Sequence, residues 1–193
     1  MKKIIFATNN QHKVDEIKAV VGNKFQIITL HEAGIDIDIE EPHDTLDANA
    51  TEKSTTIFQL VKENVFSEDT GLEVLAINNE PGVKSARYAG DNRDFTANTQ
   101  LLLSKLANIT DRRAQFRTVI SLIFEGKEYL FEGICKGTIS NEPFGNKGFG
   151  YDPVFIPDGS NITFAQMNME EKNVFSHRKK ATNLLLEFLQ NQS

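Results

Sequence analysis

The order of the first thirty residues restricts the fold more than any other feature of the chain. Residues 2–8 (KKIIFAT) and 25–30 (FQIITL) are short, β-branched runs of the kind that form buried strands. Between them, residues 12–21 (HKVDEIKAVV) place Val14, Ile17, Ala19, Val20 and Val21 at near-helical spacing and stop at Gly22, a C-cap residue. A strand-helix-strand opening predicts an α/β fold.

The rest of the chain adds hairpin elements to that beginning. An acidic loop, residues 34–44 (GIDIDIEEPHD), leads to a helix capped by Asp44 or Thr45 and running to about Glu63, with Ala50, Ile57, Leu60 and Val61 on its apolar face. Residues 64–69 (NVFSED) read as a strand, Thr70-Gly71 as a turn, and residues 72–77 (LEVLAI) as the continuation after it. A turn and short helix are expected in residues 81–91, and a longer helix over 94–108. Residues 114–124 and 128–137 flank Gly126-Lys127 as a hairpin. A strand (PVFI) follows the glycine-rich stretch 146–152, and residues 176–190 form a last amphipathic helix capped by Ser176. The expectation is a mixed β-sheet with flanking helices in one domain, residues 1–193.

A net charge of -6 argues against a general nucleic-acid binder, which needs a basic face, but leaves room for a small phosphorylated ligand. The single Cys135 excludes an intrachain disulfide and suits a reducing compartment. His12, His31, His43 and His177 lack the spacing of a structural zinc site. No run approaches the ~18 apolar residues of a membrane span. A cytoplasmic protein with no membrane partner is expected.

Chemistry concentrates in a few stretches. Thr8, Asn10 and Lys13 lie where a strand opens onto a helix N-terminus, an arrangement suited to an anion, although the glycine spacing of a P-loop is missing. Glu40-Glu41 and Glu68-Asp69 are two acidic pairs separated by a helix, and together they suit Mg²⁺. Adjacent carboxylates repel, so Glu68 and Asp69 need a metal, a proton or a purpose. In residues 146–155 (NKGFGYDPVF), glycines beside Phe149 let backbone approach a flat ligand while the ring offers a stacking face. His177, Arg178, Lys179 and Lys180 open a helix, where cations oppose the macrodipole, and Lys172 is expected in a loop upstream. That accumulation of charge implies an anion. Ser85 and Arg87 are weaker candidates.

Taken in order, the stretches TNNQHK (8–13), Glu40-Glu41 with Thr45, Asn49, Ala50 and Lys53, SEDTGL (67–72), PGVKSARYAG (81–90), GFGYDP (148–153) and EEKNVFSHR (170–178) resemble the inosine triphosphate pyrophosphatase family over nearly the whole chain. The resemblance implies an elongated mixed-sheet α/β fold of two lobes around a central nucleotide cleft, a homodimer, and Mg²⁺-dependent hydrolysis of ITP, dITP and XTP to the monophosphate and pyrophosphate. It implies a substrate-binding run Thr8, Asn9, Asn10, Gln11, His12 and Lys13, with Thr8, Asn10 and Lys13 on the triphosphate. Asp69 matches the general base, and Glu41 with Glu68 or Asp69 matches the metal acids. Thr70, Ser85 and Arg87 adjoin the substrate. Phe149, Gly150, Tyr151, Asp152, Lys172, His177 and Arg178 match nucleoside-binding residues, and Arg178 or backbone N–H groups facing the 6-oxo edge would disfavour adenine. Three departures from the family pattern, Asn9, His43 and Lys147, replace frequent glycines. Alternatives are a Maf-like pyrophosphatase of different base preference, a nucleotide-binding regulator without turnover, and an RNA-binding module.

Overall fold

The computed structural model describes residues 3–22 and 25–192. Strand β1 (Lys3–Phe6) is followed by helix α1 (Gln11–Val21) and strand β2 (Gln26–Thr29), the predicted opening, and residue 2 of the expected first strand lies outside the described residues. The chain continues with α2 (Leu46–Val61), β3 (Val65–Val74), β4 (Glu80–Gly82), α3 (Phe95–Lys105), β5 (Arg113–Phe124), β6 (Lys127–Ile139), β7 (Phe155–Pro157), α4 (Met169–Phe175) and α5 (His177–Asn191). This is a mixed α/β fold. β1 runs parallel to β2 and β3, whereas β4 is antiparallel to β3 and β7 to β6.

The chain forms two compact units, each assembled from separate segments. Residues 1–69, 118–133 and 178–193 make unit 1, and residues 70–117 and 134–177 make unit 2. In unit 1 the strands lie in the order β2-β1-β3-β5-β6. Side chains alternate across a strand, and β3 separates two apolar layers accordingly. Phe66 belongs to a layer with Phe6, Val14 and Ile17 of α1 and Ala181, Leu185 and Leu189 of α5. Its neighbour Val65 belongs to a second layer with Ile5, Leu30 and Ile57 of α2. In unit 2 the core is Leu72, Leu102, Leu106, Phe116, Val154, Phe155 and Phe164, among others.

Three expectations are corrected. Thr70-Gly71 is not a turn, because β3 runs unbroken from Val65 to Val74. Gly71 is required there for space: a Cβ would lie 2.6 Å from the Gly82 carbonyl oxygen, where β4 packs against β3. The hairpin turn sits one residue earlier than expected, at Glu125-Gly126, both with positive φ (51° and 76°). Lys172 is on a helix, α4, which begins with a capping box between Asn168 and Glu171.

Candidate active site

The unit 1 residues form two clusters around β3. Glu68 and Asp69 are consecutive on an extended strand, so their side chains leave on opposite faces. Glu68 shares the parity of Phe66 and meets α1 and α5; Asp69 shares that of Val65 and meets α2.

On the Glu68 side, Arg178 Nε donates to Glu68 Oε2 at 2.7 Å and Nη2 donates to Oε1 at 2.9 Å. Its Nη1 donates to Glu16 of α1, and Lys13 Nζ lies 3.0 Å from Glu68 Oε1. Arg178, Glu16 and Glu68 are 2%, 6% and 1% exposed, a burial that charged groups tolerate only when paired. Burial alone would raise the Glu68 carboxyl; the Arg178 guanidinium and Lys13 ammonium outweigh it and hold the group far below the usual carboxylate range. The charge gathered at the start of α5 therefore faces protein carboxylates through Arg178, and the guanidinium is engaged by Glu16 and Glu68.

On the Asp69 side, Lys53 of α2 reaches both acids. Its Nζ donates to Glu41 Oε1 at 2.6 Å and to Asp69 Oδ1 at 3.1 Å. Asp69 Oδ2 is buried and has no hydrogen-bond partner. Burial pushes the Asp69 carboxyl above its ordinary value, with Lys53 and Lys13 pulling against that shift and Glu41 adding to it. Burial likewise disfavours the Lys53 ammonium, but Asp69 and Glu41 more than compensate. α2 also anchors the loop that carries Glu41: Asn49 Oδ1 accepts from His43 N at 2.9 Å, and its Nδ2 donates to His43 O at 3.1 Å. Among the described residues no three acidic, histidine or cysteine side chains gather as a metal cluster.

The loop between β1 and α1 is ordered by its own side chains. Asn10 caps α1 by accepting from the backbone of His12 and Lys13, and Thr8 Oγ1 accepts from Asn10 N at 3.2 Å. Asn9 donates to Ile37 O, and Gln11 donates to Asp15 one turn on. His12 is exposed and Lys13 half-buried.

The unit 2 residues form a cluster of their own. Lys172 Nζ donates to Asp152 Oδ2 at 2.6 Å and stands 5.4 Å from the ring centre of Phe149 and 5.3 Å from that of Phe164. Asp152 Oδ2 also accepts from Phe149 N at 2.9 Å, which closes the turn through Gly150 and Tyr151. Gly148, at φ 73°, has no room for a side chain, since a Cβ would lie 2.0 Å from that same oxygen. Tyr151 Oη donates to Ser85 O at 2.9 Å, and Ser85 Oγ donates to Gly82 O while accepting from Leu72 N. His177 is buried with its ring stacked on Phe116, 4.8 Å between centres. Thr70 and Arg87 are half-buried on β3 and on the 3₁₀ turn Ser85–Arg87.

Two central residues, Glu16 and Lys53, were not among the expected site residues. Each lies on an amphipathic helix where a lone charge ordinarily faces water. The signal for Lys53 was its position on α2, one turn after Asn49 and two after the Thr45 cap.

The comparisons agree with this architecture. The family model described as the Ham1 family matches residues 4–188. A protein of Flavobacterium psychrophilum named dITP/XTP pyrophosphatase is 44% identical over 189 residues, covering 98% of this chain and 100% of the relative. One of Porphyromonas gingivalis with the same name is 47% identical over 98% of each chain. The solved structure of the Staphylococcus aureus Ham1 protein superposes with a TM-score of 0.90 at 41% identity, covering 100% of both chains. A HAM1 protein from Coxiella burnetii gives 0.90 at 33% identity, over 99% of this chain and 100% of that one. The resemblance carried by the motifs is borne out, and the chain belongs to the Ham1 family.

Proposed function

We propose that the chain hydrolyses purine nucleoside triphosphates carrying hypoxanthine or xanthine (ITP, dITP and XTP) to the monophosphate and pyrophosphate. The names of the relatives support the substrate class. The chemistry rests on one observation: Asp69 is a buried carboxylate with Oδ1 held by Lys53 and Oδ2 unsatisfied. An orphaned buried acceptor is costly, and it is well suited to take a proton from water.

Mg²⁺ fits this set. Magnesium is commonly bound through one or two carboxylates with waters and substrate phosphates, and Glu41 and Asp69 are two acids brought together at Lys53. Glu68 is the poorer candidate because Arg178 and Lys13 occupy its oxygens. When bound, the ion would neutralise charge on the phosphates.

The residues then divide the work. Asp69 Oδ2 accepts a proton from water as the water's own oxygen bonds to the α-phosphorus, and the bond from that phosphorus to the bridging oxygen breaks to release pyrophosphate. Lys13, which Glu68 and the first turn of α1 hold in place, offsets charge on the triphosphate with Thr8 and the run Asn9 to His12. In unit 2, Phe149 offers a stacking face, with Asp152 and Lys172 fixing its loop. Tyr151, Ser85, Arg87, Thr70 and His177 belong to the same reading as substrate-adjacent groups. Arg178 acts in it as a positioning residue for Glu68. A cytoplasmic homodimer is part of the proposal by resemblance to the family; among the described residues no helix is long and apolar enough to cross a membrane.

The test is to incubate the protein and Mg²⁺ with ITP, XTP, ATP, GTP, dTTP and UTP and to separate pyrophosphate from orthophosphate release. Pyrophosphate chiefly from ITP and XTP is expected. Preference for pyrimidines would overturn the base assignment, and orthophosphate as the product would overturn attack at the α-phosphorus.

A further inference from the structure

Helix α3 carries an aromatic residue where its core face has already ended. Its buried positions are Asn98, Thr99 and Leu102, and Phe95 extends that stripe by one turn toward the N-terminus. There the side chain is 38% exposed. It meets the Phe149 ring, with centres 6.0 Å apart and planes inclined at 49°, within the range of favourable aromatic pairs.

The two rings are held at that separation by a polar frame. Asp94 caps α3 by accepting from Thr96 N and Ala97 N. Asn98 fastens the helix to the 3₁₀ turn, donating to Ala86 O at 3.0 Å and Ser85 O at 3.4 Å and accepting from Ala89 N at 2.7 Å. The carbonyl of Ser85 also accepts from Tyr151 Oη, two residues beyond Phe149. The first turn of α3 and the Phe149 loop therefore share one anchor atom. On the loop itself, Asp152 fixes the Phe149 backbone, and Lys172 stands over the ring.

From this geometry we propose that Phe95 is a positioning residue, which fixes the plane that Phe149 presents to a flat purine base. The inference rests on the assignment of Phe149 to base recognition. Without Phe95 the Phe149 ring gains rotational freedom, and part of the stacking gained on binding is spent in ordering it. The loss falls on the base, while groups handling phosphate and water are untouched.

The experiment measures steady-state ITP hydrolysis by Phe95→Ala, Phe95→Tyr and Phe149→Ala, with inhibition by inorganic tripolyphosphate as a base-free probe. Phe95→Ala is expected to raise KM for ITP about three- to tenfold, with kcat within about twofold. Phe95→Tyr should stay near the parent, and tripolyphosphate should inhibit all variants equally. A merely structural Phe95 would reduce the active fraction, lowering apparent kcat at constant KM, and that outcome overturns the proposal. An unchanged KM in Phe95→Ala beside a raised KM in Phe149→Ala overturns the role of Phe95 alone. An unchanged KM in Phe149→Ala overturns the underlying base assignment and this inference with it.

Discussion

Arg178 grips Glu68 across 110 residues of sequence with two nitrogens on two oxygens, at 2.7 and 2.9 Å. Such a bidentate pair fixes both side chains in plane, and a lysine could not reproduce it. Its burial makes either partner expensive to remove alone. Glu68→Gln is expected to destabilise the protein by about 3–5 kcal/mol, because Arg178 and Lys13 lose their main counter-charge. The pH dependence has a definite sign. The folded-state group is depressed from its ordinary 4.5, so its contribution is complete above that pH and fades as pH falls toward the lower folded value. Urea unfolding of parent and variant should show a gap that is full at neutral pH and narrows in acid below about 4.5. A gap constant down to pH 3 would refute the pairing.

Asp69→Asn should lower turnover by about 10²–10⁴ while leaving nucleotide affinity nearly unchanged. The amide keeps the shape but cannot take the proton. Comparing kcat with equilibrium binding of ITP checks this, and full turnover in the variant would remove Asp69 from the chemistry.

Lys53→Met separates charge from catalysis. Removing the cation that lies between Glu41 and Asp69 should tighten binding of Mg²⁺ alone about tenfold, near 1.4 kcal/mol, because a local repulsion disappears. Turnover should nevertheless fall, since Oδ1 of Asp69 loses its clamp. Titration calorimetry of Mg²⁺ without nucleotide reads the first effect, and weaker metal binding would argue that Glu41 and Asp69 do not hold the ion.

Gly71→Ala tests the close approach of β4. The added methyl would lie 2.6 Å from the Gly82 oxygen, and backbone cannot yield as a side-chain tip would. The expected cost is about 1–3 kcal/mol, read as a lower urea midpoint. A variant as stable as the parent would show that β4 can move away freely.

The elements that local pattern encodes were legible in the sequence: the strand-helix-strand opening, a cap of α2 at Asp44 or Thr45 (the structure has Thr45), the helix α3, and the amphipathic α5. What local pattern does not encode was missed. Gly71 carries a turn residue's signature, but its missing Cβ serves packing against a strand that pairs with it only in the folded chain. α4 is too short for a periodic stripe, although its capping box at Asn168 and Glu171 was a readable start signal. Glu16 finds Arg178 only across a sequence separation of 162, so nothing near either position announces the pair. Lys53 is closer to Glu41 and Asp69, yet the link still depends on α2 packing beside β3.

The alternation of Glu68 and Asp69 across β3 answers the problem that two adjacent carboxylates pose: their side chains leave on opposite faces, where Arg178 meets one and Lys53 the other, with Lys13 acting on both. This makes the strand a device counted in single residues. Deleting or inserting one residue between Val65 and Asp69 would exchange the faces, sending the carboxylate meant for Lys53 toward Arg178 and stranding apolar neighbours with charge. Length variation among related chains should accordingly collect in turns such as Glu125-Gly126 and spare this stretch of β3, where the register matters as much as the residue identities.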